Sequence, residues 1–198
     1  MGMAGQEVYG QTLGIVGLGA VGAEVARRAR AFEMPILYYD VVRRPDLERE
    51  LALTYTDLDE LLRRADFVTL HVGLTAATYN LLSAERLALM KPSAFLINAA
   101  RGGIVDQRAL AEALKAGRIA GAAVDVTERE PIPADDLLLS APNCIITPHR
   151  AAASIQTRIA QATMGARNLI LAVTGQPVLS LVNPEVCEHA ARRTQGVG

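Results

Sequence analysis

Three glycines and one acidic residue near the start of the chain have the types and spacing that suit the binding of phosphate groups. Gly17, Gly19 and Gly22 fit the pattern G-x-G-x-x-G between a short apolar run and a helical stretch, and Asp40 ends the next apolar run. Glycine permits a tight turn and close approach of the backbone to pyrophosphate, while the helix N-terminus supplies amides and a positive dipole. A packing turn is the ordinary alternative for such glycines. The flanking strand and helix patterns and Asp40 favour dinucleotide binding.

Asp40 also bears on which dinucleotide is preferred. Its carboxylate can accept both ribose hydroxyls but would repel the 2′-phosphate of NADP, so the sequence predicts NAD. Arg43 and Arg44 are a competing signal, because arginines at this point can grip a 2′-phosphate. The alternative is that both arginines are solvated beside Asp46 and Glu48, and we favour it because Asp40 is present.

Three residues farther along could do acid–base and anion chemistry, and each follows a predicted strand. Arg101 lies in INAARGGIVD, Glu130 in AAVDVTEREP and His149 in ITPHRAAAS. Ligands bind at the carboxyl ends of the strands in open α/β sheets, so these strand ends share one rim. Each residue has an ordinary alternative as a strand cap, a surface charge or a turn residue. Their joint placement favours a single functional site.

The elements that must position these residues alternate between strands and helices. Apolar runs predict strands at 12–17, 36–40, 67–72, 94–97, 122–126 and 144–147. Helical patterns follow Gly22 and cover 57–64, 83–90, 106–116 and 151–173, with Ser83 and Asp106 as N-caps. Parallel strands need long crossovers, so this alternation predicts an α/β fold with a doubly wound parallel sheet. The proline-rich residues 128–143 predict a long loop at one sheet edge.

The amino-acid composition indicates which side chains form the core and which classes of partner are excluded. The 198 residues are 51% apolar but only 4% aromatic, which predicts one main core of aliphatic side chains. A formal net charge of −1 gives no attraction to nucleic acid or anionic membranes, and no apolar run suffices for a membrane helix. Cys144 and Cys187 do not have the spacing of a disulfide framework or a metal site, so we expect no bound metal and two reduced thiols. Reduced thiols and the absence of a signal-peptide pattern predict a cytoplasmic protein.

The strand-end segments, together with LGIVGLGAVG, resemble the D-isomer-specific 2-hydroxyacid dehydrogenase family from about Glu7 to Val186. The resemblance implies NAD as cofactor, a small 2-oxo or D-2-hydroxy acid as substrate, and a homodimer. It implies that Arg101 holds the substrate carboxylate, that His149 is the acid/base and that Glu130 orients its ring. The cofactor contacts that it implies are Gly17, Gly19, Ala20, Val21, Gly22, Asp40, Val72, Ala99, Ala100, Arg101, Asp125, His149 and Ala151.

The chain also departs from the family pattern. Gly73 stands where proline is usual, Thr127 replaces a common aromatic, and Arg150 replaces an aliphatic residue directly after His149. Family members carry a substrate domain before the glycine pattern, whereas only Met1–Gln11 precede it here. We therefore expect a Rossmann NAD-binding domain at 1–173 and, at 174–198, the return segment of a substrate domain whose N-terminal part is missing.

Two other functions fit the same residues. The chain could be an NAD(H)-binding module, or a truncated protein, that holds the cofactor without turnover. It could also be an assembly subunit paired through apolar helices. Binding measured alongside turnover separates the first from a dehydrogenase, and light scattering addresses the second.

Overall fold

Seven strands of the described residues, 6–185, form one parallel sheet in the computed structural model. The strands are β1 (Leu13–Val16), β2 (Ile36–Tyr39), β3 (Leu53–Tyr55), β4 (Phe67–Leu70), β5 (Phe95–Asn98), β6 (Gly121–Val124) and β7 (Cys144–Ile146). Their spatial order is β3-β2-β1-β4-β5-β6-β7, and each neighbouring pair is parallel. The chain order reverses between β1 and β4, which opens a crevice at their carboxyl ends.

Helices cover both faces of this sheet. They are α1 (Ala20–Ala29), α2 (Pro45–Leu51), α3 (Leu58–Arg64), α4 (Ala84–Leu87) and α5 (Gln107–Lys115). Ala26 of α1 packs with Ile15 and Tyr38 in one buried cluster, whereas Leu61 and Leu110 belong to the cluster that includes Leu37 and Val16. Neighbouring residues of β1 and β2 thus point into different clusters, as alternating strand side chains must. The predicted α/β, doubly wound parallel sheet is confirmed.

The structure also contains elements that the sequence patterns did not indicate. α2 and β3 were not predicted, because β3 is a three-residue edge strand with one buried side chain. Asp106 caps α5 as predicted by accepting from the Ala109 amide at 2.9 Å. The prediction of a side-chain cap at Ser83 is wrong. Its hydroxyl donates to Glu85 Oε2 at 2.6 Å and accepts no amide of the first turn.

A second compact unit begins after Ala151 and contains α6 (Ile155–Val173). This helix begins later than the predicted residue 151 because the Ser154 hydroxyl accepts from the Thr157 amide and caps it. The Asn168 side chain bonds the Leu179 amide and the Ser180 carbonyl, which ties the segment after the helix to it. No helix among residues 6–185 is long and apolar enough to cross a membrane. The domain boundary expected after residue 173 stays a prediction.

Three of the expectations fall wholly or partly on residues 186–198. These are the end of the proposed return segment, the thiol of Cys187 and the last residue of the family resemblance, and they lie outside the described residues.

Candidate active site

The glycine turn joins β1 to α1 at the crevice between β1 and β4. Gly17 has φ +96°, and a Cβ there would lie 2.8 Å from the carbonyl carbon of His71 and from a methyl of Val72. A Cβ on Gly22 would lie 2.1 Å from the Gly17 carbonyl oxygen, whereas a Cβ on Gly19 would meet nothing within 4 Å. The turn therefore packs tightly against the protein at Gly17 and Gly22, and there is free space beside Gly19. This geometry fits a pyrophosphate against the first turn of α1.

Asp40 is linked to the glycine turn by a direct hydrogen bond. Its Oδ2 accepts from the Leu18 amide at 2.7 Å, and its Oδ1 accepts from the Val42 amide at 3.1 Å. Each carboxylate oxygen keeps a lone pair for a further donor. Asp40 thus holds the turn and places a negative charge beside it. The sequence pattern did not indicate the contact with Leu18.

The two arginines beyond Asp40 are both paired with acids of α2. Arg43 donates to both carboxylate oxygens of Glu48, at 2.8 and 2.9 Å. Arg44 donates to both oxygens of Asp46, at 3.2 and 2.9 Å. These contacts favour the interpretation in which the arginines lie beside Asp46 and Glu48.

A histidine and a glutamate form a close pair at the same sheet edge. His149 Nδ1 lies 2.7 Å from Glu130 Oε2, and Glu130 Oε1 accepts from the Thr127 amide at 3.3 Å. The hydrogen bond with the His149 ring is the main reason that the pKa of Glu130 is lowered from its ordinary value. An ionised Glu130 makes Nδ1 the donor in this pair and leaves Nε2 free to exchange a proton with a ligand.

Asp125, at the end of β6, anchors the segment that carries His149. Its side chain accepts hydrogen bonds from the Thr147 hydroxyl and from the Arg150 and Ala151 amides, the last two at 2.7 Å. Burial alone would raise the pKa of Asp125, but these hydrogen bonds outweigh it and lower the pKa. The carbonyl of Asp125 also accepts from the His149 amide at 2.8 Å. His149 is held at φ +52°, in the left-handed region.

Arg101 lies three residues after the end of β5, the strand next to β6. Its side chain is exposed, and Nη1 donates to the Ala100 carbonyl at 2.6 Å. The described residues show no hydrogen bond between Arg101 and the His149–Glu130 pair. Asn98 shapes the turn because its amide donates to the Arg101 carbonyl and its oxygen accepts from the Ala100 amide. A buried polar residue at a strand end was the sequence signal for Asn98, and it was missed.

Comparison with known proteins agrees with this geometry. A family model described as D-isomer specific 2-hydroxyacid dehydrogenase, NAD binding domain, matches residues 1–151. The chain belongs to this family. The matched region is the family's NAD-binding domain, and NAD is its cofactor.

Several known proteins are similar over most of the chain. A glyoxylate reductase from Korarchaeum cryptofilum is 54% identical over 94% of this chain and 56% of its own length. The solved TT0316 protein from Thermus thermophilus is 42% identical, with a TM-score of 0.84 over 90% of this chain and 56% of its own. A D-lactate dehydrogenase from Lactobacillus jensenii, solved with NAD+, is 35% identical, with a TM-score of 0.84 over 91% and 58%. The chain thus spans about half the length of the relatives it matches.

Other residues that the family resemblance implies as cofactor contacts are also located by the structure. Val72 lies against the glycine turn, because a Cβ on Gly17 would be 2.8 Å from its methyl group. Ala20 and Val21 are exposed in the first turn of α1. Ala99 is exposed and Ala100 half-buried after β5. All five thus lie in segments that follow carboxyl ends of the central strands, and their contacts with NAD stay predictions.

A cavity of about 580 Å³ borders the His149–Glu130 pair. Its polar walls are Asp125, Thr127, Glu130, Thr147 and His149, and its apolar walls are Pro131, Ile132, Leu139, Ile146 and Pro148. Small-molecule sites commonly combine apolar walls with a few polar groups. No group of three His, Cys, Asp or Glu side chains within residues 6–185 is placed to hold a metal ion.

His71 is half-buried at the end of β4, and its Nε2 lies 3.0 Å from the Thr69 hydroxyl. Burial lowers the pKa of His71. A neutral ring bonded to its own strand favours a structural role for this histidine.

Gly102 permits close contact between the Arg101 turn and the loop that leads to Glu130. A Cβ on Gly102 would lie 2.0 Å from the carbonyl carbon and oxygen of Thr127. Since both atoms belong to the backbone, we expect Gly102→Ala to separate the two segments and to lower the free energy of unfolding by about 1–3 kcal/mol. Thermal denaturation measures this loss. Gly165→Ala is the control, because a Cβ there meets nothing within 4 Å. An equal melting temperature for the two variants would contradict the expectation.

Proposed function

We propose that this chain supplies the cofactor-binding and proton-transferring part of an oxidoreductase. The reaction moves a hydride between NAD(H) and a small 2-oxo or D-2-hydroxy acid. The observation that carries the proposal is the 2.7 Å contact between His149 Nδ1 and Glu130 Oε2 at the sheet edge that also holds the glycine turn. A proton donor fixed by a carboxylate is what reduction of a ketone to an alcohol requires.

Each side chain has a defined task in this proposal. The planar guanidinium of Arg101 binds the substrate carboxylate and turns the neighbouring carbonyl towards the cofactor. NADH supplies the hydride that the carbonyl carbon accepts. His149 donates its Nε2 proton to the carbonyl oxygen during reduction and takes a proton from the hydroxyl during oxidation. Ionised Glu130 holds the ring in the tautomer with Nδ1–H and stabilises the imidazolium.

The cofactor is proposed to lie along the carboxyl edge of the sheet. Gly17, Gly19, Ala20, Val21 and Gly22 would hold the pyrophosphate, and Asp40 would accept the ribose hydroxyls. The nicotinamide end is assigned to Val72, Ala99, Ala100, Arg101, Asp125, His149 and Ala151. Asp125 already accepts two hydrogen bonds at Oδ1 and one at Oδ2, so a carboxamide would take the lone pair that is left on Oδ2.

The test combines cofactor binding with turnover. NADH is titrated by fluorescence, and the same protein is assayed with glyoxylate, hydroxypyruvate, pyruvate and 3-phosphohydroxypyruvate. Glyoxylate comes first because the 54% identical relative is a glyoxylate reductase. NADH oxidation with one of these acids supports the proposal. NADH binding without turnover favours the NAD(H)-binding module instead, and the absence of NADH binding contradicts both.

We also propose that the protein is a cytoplasmic homodimer. The support for the homodimer is the family resemblance, and multi-angle light scattering of the purified protein tests this assembly. A monomer mass at micromolar concentration would contradict it.

A further inference from the structure

The loop after β2 carries two arginines next to the acid assigned to the ribose. Its backbone is tied down at two points, by the bond from the Val42 amide to Asp40 and by the bond from the Arg44 amide to the Tyr38 hydroxyl at 2.9 Å. Arg43 lies between these two points. Its guanidinium is therefore attached to a loop that begins at the assigned ribose site, where a free arginine could reach a 2′-phosphate.

Glu48 accepts two hydrogen bonds from the guanidinium of Arg43. The Nε and Nη2 atoms of Arg43 donate to the two carboxylate oxygens at 2.8 and 2.9 Å, which is the bidentate arrangement that suits a phosphate equally well. The guanidinium carbon also lies 5.5 Å from the centre of the Tyr55 ring. Arg43 is thus held from two sides by residues of α2 and β3. The same donors cannot serve Glu48 and a phosphate together.

Glu48 itself is fixed by the core. The hydroxyl of Tyr38, whose side chain is fully buried, donates to Glu48 Oε1 at 2.6 Å. The side chain of Glu48 is 15% exposed, against 60% for Asp46, the partner of Arg44. Arg43 and then Tyr38 lower the pKa of Glu48 to about 2, so it stays ionised near neutral pH. The two acid–arginine pairs therefore differ, because only that of Glu48 is built onto a buried side chain.

We propose that Glu48 is a cofactor-selecting residue, which withholds Arg43 from a 2′-phosphate and so acts with Asp40 in favour of NAD. Asp40 repels the additional phosphate, and Glu48 removes the cation that could compensate for the repulsion. The inference rests on the proposed function in placing the adenosine end of the cofactor beside Asp40. It assigns selectivity to a residue that does not itself touch the cofactor.

The test is Glu48→Gln in the full chain. The amide oxygen can still accept from Tyr38, but the negative charge that holds Arg43 is lost. We expect NADPH to bind about tenfold more tightly than to the unaltered protein, because Arg43 gains a charge-assisted contact with the 2′-phosphate. NADH affinity should change little. The readouts are fluorescence titration with NADH and NADPH, and calorimetry with 5′-AMP and adenosine 2′,5′-bisphosphate.

Three further variants separate this effect from others. Glu50→Gln also removes one negative charge from α2, but Glu50 pairs with Arg27 and not with Arg43. It should therefore leave the ratio of NADPH affinity to NADH affinity unchanged. Adding Arg43→Gln to Glu48→Gln should abolish the gain. Asp46→Asn frees Arg44 and should give a smaller gain than Glu48→Gln. Melting temperatures show that each variant is folded.

The outcomes distinguish the inference from the proposed function. If Glu48→Gln and Glu50→Gln have the same ratio of NADPH affinity to NADH affinity and still bind NADH, the role of Glu48 is overturned and the proposed function is not. A gain in Asp46→Asn without one in Glu48→Gln assigns selectivity to Arg44 and also overturns it. Failure of the unaltered protein to bind either cofactor overturns the proposed function, and the inference with it.

Discussion

Replacing His149 with asparagine is expected to lower kcat for 2-oxo acid reduction by about a hundred- to ten-thousandfold, with NADH binding retained. The imidazole is the group proposed to give the carbonyl oxygen its proton, and an amide cannot replace it at neutral pH. Asparagine is the sharper choice than alanine because His149 has φ +52°, and asparagine tolerates that region best among non-glycine residues. The backbone bonds to Asp125 should therefore persist. Steady-state kinetics and NADH titration measure the two effects separately.

Glu130 provides the companion test to His149. Glu130→Gln keeps a hydrogen-bond acceptor for the ring but loses the charge that stabilises the imidazolium. Reduction consumes the proton of that imidazolium, so kcat for reduction should be lower in Glu130→Gln than in the unaltered protein. Glu128→Gln is the matched control, since Glu128 is exposed in the same loop and its side chain lacks a partner among the described hydrogen bonds. Near-normal turnover in His149→Asn, or an equal kcat for both glutamine variants, would contradict the assignment.

Replacing Asp125 with asparagine is expected to lower the free energy of unfolding by about 2–4 kcal/mol and to reduce turnover. Asp125 is only 8% exposed, and its carboxylate accepts from one hydroxyl and two amides. An asparagine has one acceptor oxygen, and its NH2 group would face donors. The segment 147–151 would then lose the contacts that hold His149 opposite Glu130. Thermal unfolding and kcat measure the two losses.

The pH dependence of this loss follows from the lowered pKa of Asp125. A depressed folded-state pKa means that the stabilisation is complete above the unfolded value, near pH 4, and is lost as the pH falls through the folded value. The difference in melting temperature between the unaltered protein and Asp125→Asn should therefore be full at pH 7 and shrink in acid. Asp135→Asn, in an exposed loop, should show no such difference. A difference that stays constant from pH 7 to pH 3 would contradict the role of the carboxylate.

Much of the fold was predictable because the signals are local. The run from Thr12 to Gly17, the glycine spacing and the small residues of α1 together predict a strand, a turn and a helix, and the structure has all three. Asp106 caps α5 through an amide three residues away. The edge elements α2 and β3 were missed, because a short strand with one buried residue leaves no periodic pattern.

The candidate site also combines features that the sequence predicts with contacts that only the structure shows. Sequence by itself determined which strand ends carry Arg101, Glu130 and His149, because alternating strands and helices direct all parallel carboxyl ends to one edge. Only the tertiary structure decided that His149 meets Glu130, that Asp125 secures the segment that carries His149, and that Glu48 holds Arg43. The pair with Glu130 spans 19 residues, and the bond from Ala151 to Asp125 spans 26. Such contacts depend on how loops from different strands pack, which no local pattern specifies.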